Sequence, residues 1–116
     1  MEKFMFIFRG GVNHAHNAND TEAATKNMQA WMTWMGSLAK NGTFVSTDPL
    51  QPTGKQVNGT NKAVTDGAYV EANEMIGGYL IVNAKDIDDA VEISKGCPIF
   101  NEDGKVEVRP IQKMEM

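Results

Sequence analysis

Between Lys3 and Arg9 every residue is apolar: Phe4-Met5-Phe6-Ile7-Phe8. Side chains along a strand alternate between faces, so this run, read as a strand, must be covered on both sides. Tyr79-Leu80-Ile81-Val82 makes the same demand. The remaining chain has to supply two layers of cover, and what it can supply decides the architecture.

A polar loop from Gly10 to Asn19 follows the first strand and carries His14 and His16. A helix is expected from about Asp20, capped by Asn19 or Asp20 with Glu22 completing a capping box. Met28, Trp31, Met32, Met35, Leu38 and Ala39 share one helical face, and Gly42 marks the stop. Thr43 to Ser46 reads as a second strand. Lys55–Val57 and Asn61–Thr65 flank Asn58-Gly59 as a hairpin with a tight turn. Met75 to Val82 is the next strand, where Gly77-Gly78 signals a bulge or a close backbone approach. Asp86 caps a short helix with Ile87, Ala90 and Val91 facing inward and Ser94 beside them, ended by Gly96 and Pro98. Lys105 to Ile111 forms the last strand.

This order is the split βαβ pattern of a ferredoxin-like α+β domain with an antiparallel sheet, in one domain spanning 1–116. Two helices cover only one face of such a sheet. A second copy of the same sheet is the simplest cover for the other, so a homodimer is expected. A charge at a sheet-face phenylalanine such as Phe6 would then disrupt that interface.

The net charge of −4, with 11 Lys and Arg scattered along the 116 residues, argues against nucleic-acid or anionic-membrane partners. No apolar run approaches the ~20 residues of a membrane span. The single Cys97 excludes an internal disulfide and suits a reducing compartment. The apolar part of the start is too short for a signal peptide, so a cytoplasmic location is expected. Cys97 follows a helix C-terminus, a position that favours a buried, inert thiol.

The chain resembles the YCII-related family, in its DGPF-type branch. The resemblance is carried by Phe4–Gly11, Trp31–Gly36, Pro49-Leu50-Gln51-Pro52-Thr53-Gly54, Thr65-Asp66-Gly67, Gly77-Gly78-Tyr79 and Val106–Ile111. It implies a dimeric α+β barrel with a pocket between helix and sheet in each subunit. It also implies an activity resting on a helix histidine and a later aspartate, and a link to extracytoplasmic sigma factors. Two departures stand out. The branch signature reads Asp66-Gly67-Ala68-Tyr69 here, and the helix histidine falls on Asn27. Asparagine does not titrate near neutral pH, so a His–Asp pair is lost.

The candidate site residues follow. Asp66 is a general base, or the aspartate of an Asp-Gly turn. Asn27 lies on the row Asn27, Trp31, Trp34, Leu38 and either orients a ligand or sits on a solvated flank. Trp31 lines a ligand pocket or packs in the core. Arg9 and Arg109 anchor an anion or form surface ion pairs. His14 and His16 contact a ligand or belong to a solvated loop; with Asp20 the only local candidate for a third ligand, no metal is expected, and no cofactor either. Two functions emerge. One is a ligand-binding or regulatory dimer without catalysis. The other is an enzyme performing acid–base chemistry on a small organic substrate with Asp66 as base.

Overall fold

The computed structural model of the chain describes residues 1–10, 21–67 and 74–114. Its strands are β1 (Glu2–Arg9), β2 (Phe44–Pro49), β3 (Lys55–Asn58), β4 (Ala63–Asp66), β5 (Ile76–Ala84) and β6 (Lys105–Pro110). Its helices are α1 (Thr21–Lys40) and α2 (Ile87–Ser94), with a 3-10 turn at Pro98–Glu102 that the sequence reading did not contain. The four-stranded sheet has the order β2-β5-β1-β6, and every pairing within it is antiparallel. β1 and β2 run parallel with β5 between them, which is the split βαβ arrangement of a ferredoxin-like fold.

Alternation along the central strands separates two chemically different faces. Phe4, Phe6, Phe8, Leu80, Val82 and Ala84 are buried under the helices. Met5, Ile7, Tyr79 and Ile81 occupy the opposite, open face and are only half-buried. Phe6 therefore belongs to the core of the single chain, 0% exposed, and not to the open face on which the sequence reading placed an interface. The doubly apolar strands do serve two faces, but the helices claim the phenylalanines because the larger rings remove more apolar area from water.

The buried side of α1 is rotated from the expected stripe. Met28 and Met32 are both 65% exposed, whereas Leu38 is buried and Trp31, Trp34 and Met35 are half-buried. The helix turns its two indoles inward. Trp31 meets Phe8 edge-on with ring centroids 5.1 Å apart, and Trp34 stacks on Phe6 at 6.4 Å. Aromatic contact area outweighs that of the flexible methionines, so the row Asn27, Trp31, Trp34, Leu38 becomes the inner one.

α2 begins at the Asp86 cap, whose Oδ1 accepts from Asp89 N at 2.8 Å. Ala90 and Ser94 are buried, but Ile87 is 42% exposed at the first turn, outside the packed face. Beyond its end, a methyl group on Gly96 would lie 3.0 Å from Trp34 Nε1, so glycine there lets the α1 indole lie against the α2 terminus.

β3 and β4 form a separate two-stranded ribbon, inserted between β2 and β5. Its loop is longer than the expected tight Asn-Gly turn. Asn58 pairs with Ala63, and Gly59 to Lys62 close the ribbon, with Gly59 (φ 70) and Lys62 (φ 55) both left-handed. The two-residue type I′ turn that Asn-Gly favours requires adjacent residues at positive φ; here those conformations are separated by Thr60 and Asn61. Ribbon residues on both faces are exposed, including Val57 and Val64.

Candidate functional site

The antiparallel order brings the carboxyl ends of β1 and β2, the amino end of α1 and the starts of β5 and β6 to one end of the sheet. Phe8 and Pro49 both pair with Gly78 there, and Arg9 pairs with Lys105. The β3–β4 ribbon springs from the same end. Every described residue singled out from the sequence for function, Arg109 apart, belongs to this end or to that ribbon.

Arg9 closes β1 and is the best organised of them. Its Nε donates to Glu107 Oε1 at 3.1 Å and its Nη1 to the Glu74 carbonyl at 3.2 Å. The backbone reinforces that junction through Gly10 N to Met75 O at 3.0 Å. Glu107 also accepts from Arg109 Nη1 at 3.2 Å, and Lys105 Nζ pairs with Glu74 Oε1. Arg9, Glu74, Lys105, Val106 and Glu107 line an open depression of about 540 Å³.

Hydrogen bonds from Arg9 and then Arg109 hold the Glu107 carboxyl below its ordinary range, with their charges acting in the same direction. A depressed folded-state pKa stabilises the fold above the unfolded value and loses that contribution as pH falls through the folded one. Glu107 should therefore titrate below a free glutamate, which carboxyl NMR can read. Its share of stability should disappear at the acid end of the titration, and Glu107→Gln should remove that part of the pH dependence.

Asp66 ends β4, and Gly67 (φ 80) then turns the chain left-handed, donating to the Gly54 carbonyl at 2.7 Å. The Asp66 carboxylate meets Lys55 Nζ at 3.1 Å across the ribbon, with side chains 78% and 69% exposed. Asn27 is half-buried on α1, one turn before Trp31, and lies on the helix-covered side of the sheet. Arg9 is at the same end but on the open face. The structure thus places three of the candidates in three settings: a ribbon, a helix–sheet seam and the sheet rim. His14 and His16 lie outside the described residues, as do the expected caps Asn19 and Asp20. Among the described residues no group of three or more His, Cys, Asp or Glu is arranged to hold a metal ion.

The match to a YCII-related domain model extends over residues 8–115, nearly the whole chain. The chain belongs to the YCII-related family. No curated protein sequence is significantly similar to it. Among solved structures, the 5-chloro-2-hydroxyhydroquinone dehydrochlorinase TftG from Burkholderia phenoliruptrix AC1100, in complex with 2,5-dihydroxybenzoquinone, superposes with a TM-score of 0.53. That likeness has 15% identity and covers 94% of this chain and 93% of the other, so it is a likeness of fold.

Within this YCII-related chain, Glu74, Lys105 and Glu107 are the lining residues that sequence reasoning missed. A signal for two of them was present. Lys105, Glu107 and Arg109 alternate along β6 and so share one face. What the sequence did not show was that this face would align with Arg9. Cys97 is buried, and burial pushes its thiol up to about 12, so it stays protonated and inert at neutral pH. Among the described residues no helix is long and apolar enough to cross a membrane.

Proposed function

We propose that this YCII-related chain is a dimeric small-molecule-binding protein with a regulatory rather than a catalytic role, acting in the reducing cytoplasm that suits its lone buried thiol. The observation that carries this reading is the contrast between its acidic and basic candidates. Arg9 is held by fixed acceptors inside a depression, while Asp66 sits on an exposed ribbon against Lys55. A carboxylate serving as a base must stand within hydrogen-bond reach of a substrate proton in a shielded site, and Asp66 has an exposed position and a lysine partner.

The test is a thermal-shift screen of small organic acids that includes 2,5-dihydroxybenzoquinone, with each compound followed by NMR for chemical change. Stabilisation without consumption is the expected result; saturation at a hundredfold excess over Kd corresponds to about 2.7 kcal/mol. Asp66→Asn should change stability by no more than about 1 kcal/mol, as expected for an exposed pair, and leave ligand affinity unchanged. Turnover that vanishes in Asp66→Asn would replace this reading with the acid–base enzyme.

The dimer rests on the open sheet face. Met5, Ile7 and Ile81 stand there half-buried. The Cα radius of gyration is 15.9 Å, against about 13 Å for a compact chain of this length, and the shortest extent is only 18 Å. A slab one sheet and one helix layer thick leaves that face for another layer to cover. Ile81→Glu puts a charge on it without touching the helix-side core, so the variant should stay folded and run as a monomer by light scattering. A wild-type chain that is monomeric at micromolar concentration would exclude the dimer.

A further inference from the structure

We propose that the depression at the rim of β1 and β6 is a receptor for a small organic monoanion, its carboxylate held by Arg9 and Lys105. This deepens the ligand-binding reading above and rests on it.

The argument starts from register. Arg9 and Lys105 are directly opposite one another on neighbouring antiparallel strands, so two cations share one cross-strand position. Like charges in that position repel and destabilise the pairing. The chain offsets part of this repulsion with Glu107 beside Arg9 and Glu74 beside Lys105. The compensation is incomplete. Glu107 is shared with Arg109, so among the described residues three cations face two carboxylates at this rim of a chain whose net charge is −4.

The hydrogen-bond inventory points the same way. A guanidinium carries five N–H donors and an ammonium three. Among the described residues, the acceptors meeting Arg9 are one Glu107 oxygen and the Glu74 carbonyl, and the one meeting Lys105 is a Glu74 oxygen. Both Glu107 oxygens are already engaged by arginines. Among the described residues, the rim therefore has an excess of donors and one unit of positive charge.

Those numbers select the ligand. A single carboxylate supplies two acceptors and one negative charge and relieves the opposed cations. A dianion such as a phosphate monoester would set its second charge against Glu74 and Glu107. A cation or a zwitterionic ammonium would meet Arg9 and Lys105, with both carboxylates already paired. Val106, opposite Phe8, turns its side chain to the helix-side core, so the depression selects its ligand by the charged head group.

Benzoate and its neutral isostere benzamide distinguish the cases, titrated into ¹⁵N-labelled full-length protein while the Arg9 Nε–H resonance is followed. Benzoate should saturate that resonance, with benzamide at least roughly tenfold weaker because charge-assisted hydrogen bonds are about twice as strong as neutral ones. Lys105→Met and Arg9→Met should each weaken benzoate by roughly tenfold or more, and Lys95→Met, on α2, should not. If Arg9→Met fails to fold, the exposed Lys105→Met and the charge-conserving Arg9→Lys, which should retain most of the binding, still decide the matter. Equal binding of benzamide and benzoate would overturn the anion receptor while leaving a small-molecule site. Benzoate shifts confined to α1 around Asn27 and Trp31, indifferent to Lys105→Met, would overturn it as well. Saturation by neither compound would remove the proposal and count against the ligand-binding reading.

Discussion

Phe6→Ala is expected to cost about 3–5 kcal/mol, a large share of the roughly 5–15 kcal/mol that holds a domain of this size together. Phe6 is fully buried at the middle of β1, opposite Leu80 on β5 and Val108 on β6. Its ring lies nearly parallel to that of Trp34, at an interplanar angle of 17°. Removing it leaves a void beneath the indole, bounded by two neighbouring strands that cannot both collapse into it. Urea denaturation of the variant should show a much lower midpoint at an unchanged slope. Ile7→Ala, one residue along and on the half-buried open face, should cost clearly less in a monomeric background. Equal costs at the two positions would mean that the open face is as well packed as the core. Phe6→Glu should prevent folding altogether, since it would bury an unpaired charge inside the chain itself.

Gly78→Ala is expected to cost about 2–3 kcal/mol and to lower Tm by roughly 10 °C. A methyl group there would lie 2.8 Å from the Asp48 carbonyl oxygen and 3.1 Å from Pro49 Cα, both backbone atoms of the paired strand β2. Relief requires β2 and β5 to move apart at the point where Pro49 and Phe8 flank Gly78. The neighbouring glycine supplies the control. Gly77 is the extra residue of a bulge, since Phe8 pairs with Gly78 and Arg9 with Ile76, and a methyl group on it meets nothing within 4 Å. Gly77→Ala should stay within about 0.5 kcal/mol of wild type. A calorimetric comparison of the two variants checks both. Similar melting points would show that the strands are not held at this separation.

The two glycines also show how much could be read from sequence. Gly77-Gly78 in an apolar run signals either a bulge or a close approach, and both are present, one at each residue. Sequence cannot say which is which, because the answer lies in the backbone of a strand about thirty residues earlier. The element order was legible for a similar reason: strand alternation and helical spacing are local, and two helices against a doubly apolar sheet leave one face short of cover. The turn at Asp66-Gly67 was legible too, with Asp66 ending a strand and Gly67 taking the positive φ that glycine permits.

Which row of α1 faces inward was not legible. Hydrophobicity alone favours the methionine stripe, whereas the structure chooses the row that brings two indoles onto Phe6 and Phe8. The stripe and the row differ by a modest rotation of the helix, and only the shape of the opposing surface decides between them. The site divides along the same line. Arg9, Asn27 and Asp66 could each be named from chemistry and resemblance. That Asp66 meets Lys55 on a ribbon, that Asn27 is half-buried on α1 away from it, and that Arg9 faces Lys105 beside Glu107 depends on pairings between residues far apart in the chain. The sequence by itself determined the fold class and the inventory of chemical groups, because periodicity and residue type are local properties. The tertiary structure alone decided which groups meet, because strand register and helix rotation are fixed by packing between distant segments.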